Sequence, residues 1–201
     1  AAVFAEGRDV EVIAADNFTS DLVGVDTARP APHKALMART KRQFGMGLSG
    51  DERVNLGLGP GDRPLQGMGA GYLPPTHRIA ETTQLTREGF TLELAKAPGE
   101  TPDHLIVWLA EGRILFSGDN FYHAFPNLYA IRGTPYRDFD AWADTMDQLL
   151  EYGPEVLAPG HTMPIKGAAQ IADALTGYRD AIRYIIRETV AGMDAGLDPV
   201  T

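Results

Sequence analysis

Three Gly- and Pro-rich stretches constrain this chain more than any other feature: Gly99-Glu100-Thr101-Pro102-Asp103-His104, Ser117-Gly118-Asp119-Asn120 and Pro159-Gly160-His161-Thr162. Each lies at the end of an apolar run. Gly and Pro end regular structure there, so chemistry-bearing side chains fall on loops at the margins of a scaffold. Glu100, Asp119 and His161 bring carboxylate oxygen and imidazole nitrogen, donors that a divalent cation such as zinc takes from separate loops.

The intervening segments predict both strands and helices. Residues 10–15 (V-E-V-I-A-A) have strand composition, and residues 34–44 read as a helix. Residues 26–75 are rich in Gly, Pro and charge, with G-L-G-P-G-D at 57–62, the pattern of a functional or lid-like excursion. Strands are predicted at 76–83, 90–95, 105–109 and 113–116, the last two forming a hairpin that turns at Glu111-Gly112. That hairpin links Glu100 to Asp119 and puts both at one end of a sheet. Asp138 reads as an N-cap, followed at helical spacing by Phe139, Trp142, Met146, Leu149 and Leu150 until Gly153-Pro154 stops the pattern. A strand at 155–158 leads into the His161 loop. From Gly167 to about Met193 a long helix carries Ile171, Leu175, Tyr178, Ile182 and Ile185 in a heptad-like stripe, which needs a partner helix that the sequence does not point out. Together these elements predict an α/β sandwich with a mixed sheet.

Composition narrows the function classes. With 201 residues and 44% apolar content the chain can bury one real core, and no apolar run approaches the length of a bilayer span. Acidic residues outnumber basic ones 27 to 18, for a formal charge of −9, and no Lys/Arg block could neutralise a run of phosphates. Nucleic acid is therefore not an expected partner. An acidic protein acting on an anionic substrate needs local cations, which directs attention to Arg132 and Lys166. The absence of cysteine excludes disulfides, thiolate–metal sites and cysteine nucleophiles, and fits an oxidising or a reducing compartment equally.

The order G-E-T-P-D-H, apolar hairpin, S-G-D, helix, strand and P-G-H-T resembles the later metal motifs of the metallo-β-lactamase superfamily, and within it most closely the alkyl sulfatases. Glu100 stands where most members carry His. The run after Asp119, N-F-Y-H-A-F-P-N-L-Y-A-I-R-G, is similar to the alkyl sulfatase run ending in N-L-Y-x-x-R-G. A long helix follows the His161 loop, as at the start of that family's helical dimerisation domain. Residues 38–45 (A-R-T-K-R-Q-F-G), Pro75-Thr76 and Glu81-Thr82 are also similar to that family.

The resemblance implies an αββα sandwich holding two metal ions, usually zinc. Glu100 would bind one, Asp119 would bridge both, and His161 would bind the other. The site would be begun by an H-x-H-x-D-H motif that these 201 residues do not contain. Residues 1–7 resemble the segment after that motif. The expectation is therefore an internal fragment: residues 1–166 as the later part of a metallo-β-lactamase-like domain, and residues 167–201 as the start of a dimerisation region. The resemblance also suggests a periplasmic or secreted setting and a homodimer through the C-terminal helix.

The site residues carry alternatives. Arg132 is expected to hold two sulfate oxygens with its planar guanidinium, with Asn127 beside it as a neutral donor; the bland reading of Arg132 is a surface cation. His123 either binds a substrate oxygen or protonates a leaving group, or is a packed, hydrogen-bonded imidazole. His104 is expected to hydrogen-bond rather than coordinate, and His33 and His77 are read as ordinary residues. The expected function of the parent protein is zinc-dependent hydrolysis of alkyl sulfate esters. The alternatives are lactam, thioester or phosphodiester hydrolysis on the same scaffold, or a catalytically inactive piece acting only through helix association.

Overall fold

The structure, a computed structural model, describes residues 5–19, 33–49, 51–52, 72–130, 133 and 136–199. The chain divides into two compact units, residues 1–80 with 129–135 and residues 81–128 with 136–201.

In the first unit, the apolar end of the predicted 10–15 strand forms β1 (Ile13–Ala15), and the predicted helix forms α1 (His33–Gln43). β1 pairs in parallel with β2 (His77–Ile79), placing Ile13 opposite His77. Arg78 locks the pair's end by donating to the carbonyls of Asp16 and Phe18 at 3.1 and 2.9 Å. The G-L-G-P-G-D excursion lies outside the described residues.

The second unit is a six-stranded mixed sheet whose strand order follows the chain: β3 (Thr83–Arg87), β4 (Phe90–Lys96), β5 (Leu105–Leu109), β6 (Ile114–Gly118), β7 (Val156–Pro159) and β8 (Ile165–Lys166). Every neighbouring pair is antiparallel except β6 and β7, which are parallel because a helix intervenes. The mixed α/β architecture expected from the sequence is thus observed.

Two details differ. The expected strand at 76–83 is two strands in two sheets, β2 and β3, separated by a bend where the Thr83 hydroxyl donates to the Glu81 carbonyl at 2.9 Å. Such a local side-chain bond competes with ladder pairing. The expected Glu111-Gly112 turn is a single 3-10 turn over Ala110–Gly112, ended by Arg113 at φ 47°, so the strand starts one residue later than predicted.

Asp138 caps α2 (Phe139–Glu151) by accepting from the Ala141 N–H at 3.0 Å. Trp142, Met146 and Leu149 on α2 join Ile106, Leu115 and Leu157 on the sheet in one buried core. The long helix α3 (Ala168–Asp194) packs against α2 and buries Ile171, Leu175, Tyr178 and Ile182. The partner that the α3 stripe needs is therefore α2. Its large apolar residues mark too narrow a face, because Ala143 and Thr145 are buried as well. A polar seam joins the two helices, with Arg179 and Arg183 on Asp147 at 2.6 and 2.8 Å. Among the described residues no helix is long and apolar enough to cross a membrane.

Leu175→Ala should destabilise the chain by roughly 2–5 kcal/mol, since α3 cannot collapse into the cavity without leaving α2. Asp147→Asn, which weakens two solvent-accessible ion pairs, should cost about 1 kcal/mol. Urea unfolding of both variants checks the contrast.

Candidate active site

Strand directions deliver the ligand-type residues to one margin. β5 runs antiparallel to β6, which runs parallel to β7, so the start of β5 and the ends of β6 and β7 share an edge of the sheet. Glu100 precedes β5, Asp119 follows β6, and His161 lies just beyond β7. The Gly160 N–H donates to the Gly118 carbonyl at 2.9 Å and draws the last two loops together.

A side chain at either position would meet a neighbour, and Gly118 also takes a backbone conformation that favours glycine. Gly118 has φ 53°, and a Cβ on it would lie 2.5 Å from Cε1 of His104. A Cβ on Gly160 would lie 2.4 Å from Oδ1 of Asp119. Those two absent methyl groups let an imidazole pack under one loop and a carboxylate stand beside the other.

Asn120 holds the first two loops to each other and to α2. Its side chain is fully buried. Oδ1 accepts from the Glu100 N–H at 3.1 Å, Nδ2 donates to the Ala97 carbonyl at 2.7 Å, and its own carbonyl accepts from the Trp142 indole at 3.0 Å. α2 reinforces the Glu100 loop, with Thr145 donating to the Pro98 carbonyl at 2.5 Å and Gln148 to the Lys96 carbonyl at 3.2 Å.

Asp119 and His161 meet: Oδ2 and Nε2 are 3.3 Å apart, and each side chain is 43% exposed. Glu100 is engaged by Arg137, whose Nη2 lies 2.8 Å from Oε1. Burial pushes the Glu100 carboxyl up, and the neighbouring guanidinium opposes the shift. Among the described residues no three His, Asp or Glu side chains gather closely enough to hold a metal ion.

The remaining candidates lie around this centre. His104 is half-buried and donates from Nε2 to the Ser117 carbonyl at 3.0 Å, and burial pushes its pKa down. His123 is exposed; its Nε2 reaches the Met163 carbonyl at 3.1 Å, and its N–H reaches the Thr162 hydroxyl at 3.3 Å. It ties the loop after Asp119 to the loop after His161, and its edge rests on Phe121. Asn127 is pinned through its main chain, donating to the Tyr122 hydroxyl at 2.5 Å and accepting from Nη1 of Arg137. Arg132 lies outside the described residues, and Lys166 is exposed at the end of β8.

Sequence reasoning missed Asn120 and Arg137. Asn120 stands inside a quoted motif, next to a more conspicuous carboxylate. Arg137 precedes the helix cap Asp138 and reads as a surface charge, although only 5% of it is exposed. The signal available was the D-N pair itself, because Asn after a loop Asp can bond main chain on both sides.

The sequence pattern of the metallo-beta-lactamase superfamily matches residues 24–161, and the chain belongs to that superfamily. Several of its relatives are sulfatases. A linear primary-alkylsulfatase of Pseudomonas is 32% identical over 168 residues, which is 82% of this chain and 31% of that protein. The alkyl/aryl-sulfatase BDS1 of Saccharomyces cerevisiae is 29% identical over 94% of this chain and 29% of its own length. Among solved structures, the stereoselective inverting sec-alkylsulfatase Pisa1 of Pseudomonas superposes with a TM-score of 0.82 at 25% identity, covering 98% of this chain and 31% of that one. The chain thus spans less than a third of the length of each of these relatives.

Proteins of the superfamily use metal ions, and the residues present fit such an ion in kind. A carboxylate and an imidazole converge, partly exposed, on a margin that two glycines keep open. In number the described residues fall short of the four donors a zinc ion takes.

Gly118→Ala should cost at least about 1 kcal/mol from its left-handed backbone alone, and more because the methyl displaces His104. The pH dependence of His104 has a definite sign. Burial lowers its pKa in the folded state below the value of about 6.5 in the unfolded chain, so its contribution is complete above that pH and is lost as pH falls through the folded value. His104→Gln should flatten the stability–pH curve below about pH 6.5, as read by thermal melting from pH 8 downward.

Proposed function

We propose that the full-length protein hydrolyses alkyl sulfate esters at a dinuclear zinc site to which this chain contributes Glu100, Asp119 and His161. The observation that carries the reading is the Asp119–His161 pair, 3.3 Å apart at the sheet margin that also receives Glu100, in a chain similar over most of its length to proteins named alkylsulfatases. In this reading Glu100 would hold one zinc, Asp119 would bridge both and His161 would hold the other, with the remaining donors coming from outside these 201 residues. Zinc, when bound, would supply Lewis acidity and an activated water.

The chain's own residues would bind and orient the ester. Arg132 and Asn127 would hold the sulfate, and the pinned main chain of Asn127 supports this by fixing where its side chain starts. His123 would bind a substrate oxygen or give a proton to the leaving group. With Nε2–H donated to the Met163 carbonyl, that proton would come from Nδ1 of the imidazolium. The same contacts also support the plainer role of a clasp between two loops. The exposed Val190 and Met193 on the last turns of α3 support association with a second copy.

The test is sulfate release by the full-length protein from primary and secondary alkyl sulfates of graded chain length, with and without chelator, beside lactam, thioester and phosphodiester substrates. Chelator-sensitive sulfate release is expected. Its absence at every chain length sinks the reading, and turnover of another substrate replaces it. Arg132→Ala should raise KM about tenfold to a hundredfold, the worth of a charge-assisted pair of hydrogen bonds.

A further inference from the structure

Arg137 has the surroundings of a part that sets geometry. Its side chain is 4% exposed in a chain of net charge −9, and its guanidinium sits 5.9 Å from the centre of the Trp142 ring. One terminal nitrogen reaches Oε1 of Glu100 at 2.8 Å, and the other donates to the main-chain carbonyl of Asn127. Nε is buried with no hydrogen-bond partner among the described residues. Evidently both ends of the fork are committed, and the cost of burying a guanidinium is met by only two contacts plus a ring.

The two contacts join different loops. Glu100 lies between β4 and β5, whereas Asn127 lies in the segment after β6. Planarity fixes the angle between the two terminal nitrogens, so fixing one contact fixes the direction of the other. On the Glu100 side only Oε1 is used, and among the described residues Oε2 has no hydrogen-bond partner. The carboxylate is therefore aimed by one oxygen with the second left for another ligand.

We infer that Arg137 is a positioning residue: its guanidinium aims the Glu100 carboxylate for a metal ion and, through the same plane, fixes the Asn127 loop against it. This rests on the proposed role of Glu100 as a ligand. A lysine could not do the same, because a single ammonium at the end of a flexible stem presents no rigid fork to two loops.

The test is a double-mutant cycle in the full-length protein, reading zinc affinity by competition with a chromophoric chelator. Glu100→Gln should weaken zinc binding. Arg137→Gln should weaken it about tenfold to a hundredfold, the range for a residue that orients a ligand. In the Glu100→Gln background Arg137→Gln should have no further effect on affinity, because the residue acts through that carboxylate. Arg137→Lys should lose about tenfold, and it decides the matter if Arg137→Gln fails to fold by circular dichroism. Parental or tighter zinc binding in both Arg137 variants overturns the inference, the tighter case showing competition with the metal. A full-sized loss in the Glu100→Gln background also overturns it, by showing a merely structural role. Parental affinity in Glu100→Gln itself overturns the ligand reading of Glu100 and this inference with it, which separates the two failures.

Discussion

The site geometry depends on one buried amide. Asn120 accepts a main-chain N–H from the Glu100 loop, donates a hydrogen bond to the Ala97 carbonyl, and through its own carbonyl accepts the indole N–H of α2. Without these bonds the loop before β5 and the loop after β6 are two turns that happen to be adjacent. With them, the carboxylates at 100 and 119 are referenced to a helix that the core already fixes. A buried amide is costly when unmet and nearly balanced when met, roughly 1–3 kcal/mol against about 1. That asymmetry makes Asn120 a specifier of one arrangement more than a source of stability.

The helix holding this clasp is itself held from both sides. α2 buries Trp142, Met146 and Leu149 with the sheet, and it is packed by α3 along its length. Its polar residues facing the loops do unequal work. Thr145 and Gln148 take carbonyls at Pro98 and Lys96 and so stop the Glu100 loop from peeling away, while Asp144 and Asp147 face arginines of α3 in exposed pairs of small energetic weight. One helix thus carries the packing of the core on one arc and the placement of the candidate ligand loops on another.

Much of this was legible in the sequence, and the reason is period. β4 and both long helices repeat their apolar residues at the spacing of their own geometry, and β5 to β7 are short apolar runs bounded by loops rich in Gly and Pro. The loops carrying Glu100, Asp119 and His161 stood out for the same reason, as exceptions to the pattern. What could not be read was any contact whose partners are far apart and locally ordinary. Arg137 and Glu100 are 37 positions apart, and nothing near Arg137 distinguishes it from a solvated charge. Asn120 lies 20 positions from the N–H it accepts and 22 from the indole. Such pairs exist only after β5, β6 and α2 have packed, so no periodicity announces them.

The burial of Arg137 also bears on how an acidic protein could meet an anionic ester. Arg137 is not free to bind a sulfate, because both its terminal nitrogens are engaged by Glu100 and the Asn127 carbonyl. Asp119 and Glu100 add negative charge at the same margin. Unit charges of like sign about 4 Å apart repel by on the order of 1 kcal/mol even in water, so an anionic ester beside these carboxylates calls for positive charge beyond Arg137. Under the proposed reading two divalent ions and Arg132 provide it. In that reading two arginines divide the labour, Arg137 consumed inside the protein on a carboxylate and Arg132 kept for the substrate.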